Sequence, residues 1–282
     1  MKIAVTSASG QLGAAIVKQL IKEIGSNYVV GIARTPENAK HLGIEIRKGD
    51  YNNREQFDEA LKGIDTVLLV SGMDAPEKRI QQHRNVIEAA KANGVKKIVY
   101  TSIVGDETKT AFHSVVKSNR QTEADVRESG LQWVIGRNGI YMEPDLEYLD
   151  TYIEEDEIRN CAGEGKCAYT SREELAFAYT QMLLKDNHNG QIYNLAGEAI
   201  TQAELASLIN QVYNTDLKYH SVSVDAYEEE RKAALGEFIG GVISGIYEGI
   251  KLGINDVSSD FEKATGRAHL PPLKMIEKFK NG

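Results

Sequence analysis

The sequence is poor in the residues that form metal and disulfide sites. Its 282 residues include two cysteines, Cys161 and Cys167, which lie six residues apart with no histidine close by. This spacing matches no metal-binding motif, so we predict that the protein holds no metal. A disulfide between the two would require an oxidising compartment, and we favour free thiols in a reducing, cytoplasmic environment.

Long apolar runs, basic runs and low-complexity tracts are also absent. No apolar stretch approaches the ~18 residues of a membrane span, and the first residues lead straight into a strand-like segment rather than a signal peptide. The formal net charge is −8, and no run of five or more basic residues occurs. We therefore expect contact with neither a membrane nor nucleic acid.

What the sequence does contain is a regular alternation of short apolar segments and helix-like segments, with 41% hydrophobic residues overall. This alternation is typical of a parallel sheet that is covered by helices on both faces. The first half predicts strands at residues 2–6, 28–33, 44–48, 66–70, 97–101 and 132–136. The intervening segments predict helices from residue 11 and at residues 54–61, 77–93 and 114–128.

Right-handed crossovers between such strands give an α/β fold with a doubly wound parallel sheet. We predict that residues 1–140 form this core and that residues 141–282 form a smaller, mostly helical lobe over the carboxyl edge of the sheet. A strand at residues 191–196 is expected to return to the core sheet, and the acidic segment 143–157 is expected to be helical.

A small-residue turn joins the first strand to the first helix. Free N–H groups at a helix N-terminus, together with the helix dipole, favour an anion at this place. Gly10 would let the backbone approach a pyrophosphate, and Gly13 would let the helix pack closely on the strand. A lone Gly-x-x-Gly also occurs in ordinary α/β turns, but its position between a strand and a helix favours dinucleotide binding. The candidate contacts are Ser7, Ser9, Gly10, Gln11, Leu12 and Gly13.

The end of the second strand indicates which dinucleotide would bind. A cofactor with a free ribose hydroxyl usually meets Asp or Glu about 20 residues past the glycines. Here Arg34 stands 21 residues past Gly13. A guanidinium is suited to a 2′-phosphate, so we favour NADPH over NADH, the alternative being a solvated surface arginine.

The ends of the next three strands supply the other candidate cofactor contacts, which are Asp50, Tyr51, Ser71, Gly72, Thr101 and Ser102. Asp50 can accept a hydrogen bond from the adenine amino group, and Tyr51 can flank the ring; alternatively, Asp50 caps the next helix, with Asn52 and Asn53 as rivals. Small residues at 71–72 would let the ribose lie close. Ser102 can position nicotinamide or substrate, or it can simply satisfy the strand end.

These segments resemble the NmrA-like atypical short-chain dehydrogenase/reductases, and within them the branch of NADPH:quinone oxidoreductases and triphenylmethane reductases. The resemblance implies an NAD(P)-binding Rossmann domain, NADPH as cofactor, and a substrate cleft under a C-terminal lobe. It also implies that Asn138 and Tyr141 lie beside the nicotinamide. It is carried by residues 6–13, 33–34, 49–51, 82–91, 100–102, 137–141, 170–176 and 258–261.

The chain departs from the family at several positions. Ser7 stands where the family has the first glycine of its turn, and Asn119 stands where a histidine recurs in the quinone-reductase branch. The Tyr-x-x-x-Lys pair of ordinary short-chain dehydrogenases is missing. His113 and Lys117 have the same spacing, but sequence proximity proves no hydrogen bond, and we assign the pair no catalytic role.

A missing general acid remains compatible with reduction of an acceptor that is already electrophilic. We therefore predict an NADPH-dependent reductase of quinone-like or other flat acceptors, whose placement depends on Asn138 and on Tyr141. Tyr141 can stack on such an acceptor or donate its hydroxyl, the alternative being a packed aromatic residue. The alternative function is a non-catalytic, NADP(H)-binding redox-sensing regulator of the NmrA type. The expected partner is a small-molecule acceptor, and a homodimer is compatible with the sequence.

Glycines recur every four residues late in the chain, at Gly241, Gly245, Gly249 and Gly253. On a helix they form one bare stripe, which in a membrane would indicate helix dimerisation. Because charged residues interrupt the segment, we favour close packing on another helix or a mobile lid over the cleft.

Overall fold

The computed structural model describes all 282 residues, which form eleven strands and twelve α-helices. The strands are β1 (Ile3–Val5), β2 (Val29–Ala33), β3 (Glu45–Lys48), β4 (Thr66–Leu69), β5 (Lys97–Ile103), β6 (Gln132–Asn138), β7 (Glu157–Asn160), β8 (Lys166–Ala168), β9 (Gln191–Leu195), β10 (Ala199–Thr201) and β11 (Lys218–Ser221). The helices are α1 (Gln11–Ile24), α2 (Arg54–Ala60), α3 (Pro76–Ala92), α4 (His113–Glu128), α5 (Glu143–Glu147), α6 (Leu149–Glu155), α7 (Arg172–Leu184), α8 (Gln202–Tyr213), α9 (Val224–Leu235), α10 (Glu237–Lys251), α11 (Phe261–Thr265) and α12 (Pro272–Asn281). Three short 3-10 helices cover Ser26–Tyr28, Pro36–Leu42 and Asp186–His188.

Seven strands form one parallel sheet in the order β3-β2-β1-β4-β5-β6-β9. Strands β1, β2 and β4 are buried along their whole length, as their apolar sequences require when helices cover both faces. The order reverses between β1 and β4, which opens a crevice at the carboxyl ends of these strands. The predicted α/β fold with a doubly wound parallel sheet is confirmed.

Two apolar layers hold the sheet between the helices. One contains residues of α1, α7 and α11 on one face of the sheet. The other contains residues of α2, α3 and α4 on the opposite face. A third apolar core lies in the C-terminal half and combines residues of α5, α6, α8, α10 and α12. This core is accompanied by two small sheets, β7 with β11 and β8 with β10.

The C-terminal half contributes more to the sheet than one strand. Strand β9 pairs with β6, and helix α7 packs against the same apolar layer as α1. The predicted boundary at residue 140 therefore separates the chain only roughly into core and lobe, and it stays a prediction.

The acidic segment 143–157 is helical over most of its length, as the sequence predicts, although Glu157 already begins β7. It divides into α5 and α6 at Tyr148, and α6 ends at Asp156, which adopts the left-handed conformation with φ 56°.

Two further findings concern membrane-spanning helices and the cysteines. No helix is both long and apolar enough to cross a membrane. Both cysteines are buried and unbonded.

The C-terminal segment returns to the sheet through a buried ion pair. Glu174 of α7 is 1% exposed and accepts hydrogen bonds from Arg267 at 2.6 and 2.7 Å and from the N–H of Leu270 at 2.9 Å. Burial opposes the charge of Glu174, but the hydrogen bonds outweigh it and hold its pKa below the usual 4.5. The pair thus stabilises the fold when Glu174 is ionised.

Arg267→Ala is expected to lower the free energy of unfolding at pH 7 by about 2 kcal/mol, because it leaves a buried carboxylate without its cation. The estimate is below the ~3–5 kcal/mol of a fully buried pair because Arg267 is partly exposed. Since the pKa of folded Glu174 is depressed, the stabilisation is present above the unfolded-state pKa and is lost as the pH falls through the folded-state pKa. Urea unfolding at pH 7 and near pH 3 measures both effects.

Lys263→Ala is the control for this prediction, because it breaks the solvent-exposed Lys263–Asp260 pair in the same segment. Its expected effect on the free energy of unfolding is much smaller than that of Arg267→Ala, because water screens the exposed pair. Equal losses in the two variants, or a loss in Arg267→Ala that does not shrink in acid, would contradict the assigned role of Glu174.

Candidate functional site

The turn between β1 and α1 leaves the backbone N–H groups of the first helical residues without partners. The N–H of Gly10 bonds the carbonyl of Ser7 at 2.9 Å, and the first helical bond runs from Ala14 to Gly10 at 2.8 Å. The N–H groups at positions 11–13 have no acceptor in the chain, and no side chain caps the helix. An anion placed there would be bound by several aligned donors and by the positive end of the helix dipole.

Gly13 allows the helix to approach the turn this closely. A Cβ atom at this position would lie 2.3 Å from the carbonyl oxygen of Ser7, a contact with backbone that no side chain can relieve. At Gly10 the same oxygen would be 3.3 Å away, so a side chain there is crowded but less restricted. The geometry thus agrees with the roles that the spacing suggests for the two glycines.

Ser7 adopts the left-handed conformation, with φ 51°. An L-residue pays a conformational penalty there of roughly 1 kcal/mol relative to glycine. The family's glycine at this position is therefore explained by the backbone, and this chain keeps the backbone with a serine. The Ser7 hydroxyl donates to the phenol oxygen of Tyr51 at 3.1 Å, which offsets part of the penalty.

The hydroxyl of Tyr51 holds the turn in place through hydrogen bonds. This hydroxyl donates to the carbonyl of Val70 at 2.6 Å and lies 2.7 Å from the Thr6 hydroxyl, which in turn accepts from the N–H of Val70 at 2.9 Å. Burial raises the pKa of Tyr51 to about 12, so the phenol stays protonated. The ring stacks on Phe57 at 5.6 Å. Its hydroxyl therefore joins the ends of β1 and β4, a role that the sequence did not suggest.

The polar residues at the ends of β2 and β3 are placed differently from one another. Arg34 is exposed and makes no hydrogen bond or ion pair within the chain. Asp50 accepts from the N–H of Asn52 at 2.9 Å, whereas Asn53 caps α2 by accepting from Gln56. Asp50 is thus not the helix cap, and its second carboxylate oxygen has no partner in the protein.

The segment after β4 is held by side chains from α3, α4 and β5. The N–H of Ser71 donates to the Thr101 hydroxyl at 2.8 Å, and the Ser71 hydroxyl donates to Asn119 at 3.0 Å. Asn119 also accepts from the hydroxyl of buried Tyr100. Thr101 and Ser71 therefore lie together at the crevice, while Asn119 fixes them from behind.

His83 was missed by the sequence analysis as a site residue. Its Nε2 accepts from the N–H of Gly72 at 3.0 Å, and its Nδ1 lies 2.9 Å from the Thr122 hydroxyl, which itself donates to a carbonyl. Burial, assisted by the charge of Arg79, lowers the pKa of His83 to about 3, so the ring is neutral and Nε2 can accept. The sequence signal that could have indicated this role is the position of His83, a polar residue on the apolar face of the predicted helix.

Ser102 has its partner inside the protein. Its hydroxyl donates at 2.6 Å to Glu123, which is 1% exposed and also binds Arg120 and Arg137. Burial opposes ionisation of Glu123, but these partners hold its pKa below the usual range. This arrangement supports the alternative in which Ser102 satisfies the strand end. It also places Arg120 against the carbonyls at 103 and 105, which begin the loop after β5.

Asn138 and Tyr141 lie in one hydrogen-bonded chain at the end of β6. Tyr179, which the sequence did not single out, lies with its hydroxyl 2.6 Å from the amide oxygen of Asn138 and 3.0 Å from the carbonyl of Gly136. The Asn138 amide then donates to the Tyr141 hydroxyl oxygen at 2.9 Å. Burial raises the pKa of Tyr141 to about 12. Its protonated hydroxyl accepts from Asn138 and has no acceptor of its own in the chain, so it can donate to a ligand.

The histidine and lysine of α4 do not form a catalytic pair. His113 Nδ1 lies 2.7 Å from the carbonyl of Thr110, and Lys117 is exposed without a partner. No hydrogen bond joins the two residues. The site therefore offers a neutral donor at Tyr141 and no activated tyrosine or lysine of the usual dehydrogenase kind.

Comparison with known proteins agrees with this geometry. The profile of the NAD(P)H-binding family matches residues 7–185. Quinone oxidoreductase 2 of Escherichia coli (strain K12) is 34% identical over 225 residues, which cover 78% of each chain. The crystal structure of the NADPH-dependent quinone oxidoreductase complexed with NADPH, from Escherichia coli, superposes with a TM-score of 0.91 at 29% identity, over 99% of this chain and 100% of that chain. The triphenylmethane reductase of Citrobacter sp. complexed with NADP(H) gives a TM-score of 0.90 at 30% identity over 99% of both chains.

The left-handed backbone of Ser7 predicts opposite effects for two small substitutions. Ser7→Ala keeps the strained Cβ and loses the hydrogen bond to Tyr51, so it should lower the free energy of unfolding by about 1 kcal/mol. Ser7→Gly loses the same bond but relieves the strain, and it should be more stable than Ser7→Ala by about 1 kcal/mol. Urea unfolding of the three proteins measures the difference.

The neighbouring Ser9 provides the control, because its backbone is not left-handed. Ser9→Gly should be no more stable than Ser9→Ala, since glycine has a greater chain entropy to lose. If Ser7→Ala were as stable as Ser7→Gly, strain at Ser7 would be rejected.

Proposed function

The chain belongs to the NAD(P)H-binding, NmrA-like family, and from this premise we propose that it transfers hydride from NADPH to a quinone-like or other flat electrophilic acceptor. That it is an NAD(P)H-dependent oxidoreductase follows from its relatives. The acceptor and the residues that hold it are the proposed part. The observation that carries the proposal is the Tyr141 hydroxyl, which accepts from Asn138 and keeps its proton free to donate, at the same carboxyl edge of the sheet as the free N–H groups at positions 11–13.

We assign the cofactor to the carboxyl edge of the sheet. The free N–H groups at positions 11–13 bind the pyrophosphate, with the bare surface of Gly10 giving room for it, and Ser7 and Ser9 shape the turn. Unpaired Arg34 binds the 2′-phosphate. Asp50 accepts a hydrogen bond from the adenine amino group. The segment Ser71–Gly72, together with Thr101, lies between the pyrophosphate and the nicotinamide.

The acceptor is assigned to the end of β6. Bound NADPH supplies the hydride, so the chain has to place the acceptor and exclude water. Tyr141 donates its free hydroxyl to an acceptor oxygen and offers its ring as a flat contact. Asn138 fixes the direction of that hydroxyl, and Tyr179 fixes Asn138. Since a quinone accepts hydride without prior protonation, solvent can supply the proton afterwards, which fits the absence of a histidine–lysine pair.

Oxidation of NADPH by the purified protein tests the proposal. Benzoquinones, naphthoquinones, azo dyes and triarylmethane dyes are offered in turn, and absorbance at the NADPH band is followed. We expect turnover with at least one of these flat acceptors and little with aliphatic ketones, which need a general acid. Turnover of aliphatic ketones alone would contradict the proposed acceptor class. No turnover with any acceptor, despite tight NADPH binding, would contradict the proposed activity and favour the sensor function.

Arg34→Ala should remove the preference for NADPH. A charge-assisted hydrogen bond to the 2′-phosphate contributes about 1.5–3 kcal/mol, so NADPH affinity should fall by roughly 10- to 100-fold while NADH affinity stays unchanged. Fluorescence titration of both cofactors gives the two dissociation constants. Lys40→Ala, an exposed lysine beyond the same strand end, is the control and should alter neither value appreciably. A variant at Arg34 that kept the full preference would remove this arginine from the site.

Tyr141→Phe should lower kcat/KM for the acceptor about tenfold, because it removes one hydrogen bond and keeps the ring. Tyr141→Ala should lower it further, by roughly 10²-fold, because the acceptor loses its orientation. His113→Ala and Lys117→Ala should retain most turnover, whereas loss of a true general acid would cost about 10²–10⁴-fold. Since the pKa of Tyr141 is about 12, its donor should persist across pH 6–9. A loss of general-acid size in either α4 variant, with NADPH affinity intact, would reject unassisted transfer.

A further inference from the structure

Helix α10 has little stability of its own. It contains Gly240, Gly241, Gly245 and Gly249, and each glycine in a helix interior is unfavourable relative to alanine. The helix nevertheless runs unbroken from Glu237 to Lys251, so contacts with the rest of the chain must hold it. The predicted glycine stripe is therefore explained by close contacts between α10 and the neighbouring segments.

One contact seats α10 on the loop that follows β5. A Cβ atom at Gly245 would lie 2.5 Å from the backbone nitrogen of Phe112, so the helix rests directly on the backbone of that loop. Val242 and Ile246, on the same side of the helix, pack against Phe112 and the start of α4. Helix α10 thus spans the loop that runs from the end of β5 towards α4.

A second contact ties α10 to the segment that follows Tyr141. Asp145 lies in α5, which begins two residues after Tyr141, and it is 4% exposed. One of its oxygens accepts from the Tyr247 hydroxyl of α10 at 2.7 Å and from the Tyr152 hydroxyl of α6 at 3.0 Å. Burial raises the pKa of Asp145, and the phenols of Tyr247, Tyr152 and Tyr169 act against that rise. A buried carboxylate with no cation beside it depends on these donors.

We propose that the Tyr247–Asp145 hydrogen bond is a positioning contact that holds α10 as a roof over the acceptor site. The inference rests on the proposed function, because the acceptor site is defined by Tyr141. Gly245 seats this helix on the loop after β5, and Tyr247, two residues further along α10, ties it to a residue four positions beyond Tyr141. The distance between roof and Tyr141 sets the width of the slot for a flat acceptor. Tyr247 and Asp145 act through this geometry and touch no reacting atom.

Tyr152 supplies a matched control for Tyr247. Both hydroxyls donate to the same oxygen of Asp145, but Tyr152 lies on α6 and not on the roof. Tyr247→Phe should raise the acceptor KM about tenfold, with kcat and the NADPH dissociation constant within about twofold of the parent. Tyr152→Phe should lower thermal stability similarly and leave the acceptor KM unchanged.

Conservative replacement at the carboxylate gives a further test. Asp145→Asn keeps an oxygen that can accept from Tyr247 and should retain an acceptor KM close to that of the parent. Asp145→Leu removes the oxygen to which Tyr247 donates its hydrogen bond. It should therefore raise the KM of the flat acceptor as much as Tyr247→Phe does. Amide hydrogen exchange provides a readout that needs no turnover: the amides of α10 should exchange faster in Tyr247→Phe and not in Tyr152→Phe.

The outcomes separate this inference from the proposed function. If the parent protein reduces no acceptor, the proposed function fails, and the exchange rates of α10 alone decide whether Tyr247 anchors the helix. If the parent reduces an acceptor but Tyr247→Phe leaves its KM unchanged, the positioning role is overturned. Equal changes of KM in the Tyr247 and Tyr152 variants would also overturn it, because they would make Asp145 a general stabiliser of the lobe.

Discussion

The close approach of α1 to the end of β1 is the constraint on which the rest of the site depends. Because Gly13 carries no side chain, the first turn of the helix lies against the Ser7 carbonyl, and its N–H groups open into the crevice. Ser7 must then adopt a left-handed backbone, and Tyr51 braces that backbone through three hydrogen-bonded neighbours. The turn is thus fixed by contacts among β1, β4 and the segment after β3, and none of these contacts needs a ligand.

The sequence could predict the sheet and the edge at which the site lies. Buried parallel strands are continuous apolar runs, and helices repeat their apolar residues every three to four positions, so local pattern is sufficient. It could also place Arg34 and the glycines, since these follow strand ends directly. It could not choose between Asp50 and Asn53 as the cap of α2, because both residue types cap helices and only the backbone path decides.

The residues that the sequence missed share a physical reason. Gly72 bonds His83, Ser71 bonds Asn119, and Asn138 bonds Tyr179, pairs that lie 11, 48 and 41 residues apart along the chain. Such pairs exist only once the helices are packed on the sheet, so no spacing rule reveals them. The same applies to the helical segment 143–157, whose acidic pattern reveals neither the break between α5 and α6 at Tyr148 nor the left-handed backbone of Asp156.

The cofactor side and the acceptor side of the candidate site differ in rigidity, and this difference suits the two ligands that we propose for them. The side of the crevice that is assigned to the cofactor is held by neutral, hydrogen-bonded groups: a protonated Tyr51 below the turn, and a neutral His83 and Asn119 at the segment after β4. This makes it rigid, which limits the entropy lost on binding a large anion. The acceptor side is covered by a glycine-rich helix that depends on a few contacts, and such a helix opens at lower free energy than the core. Under the proposed assignment, the rigid side of the crevice suits a large cofactor, and the more easily opened side suits the exchange of flat acceptors.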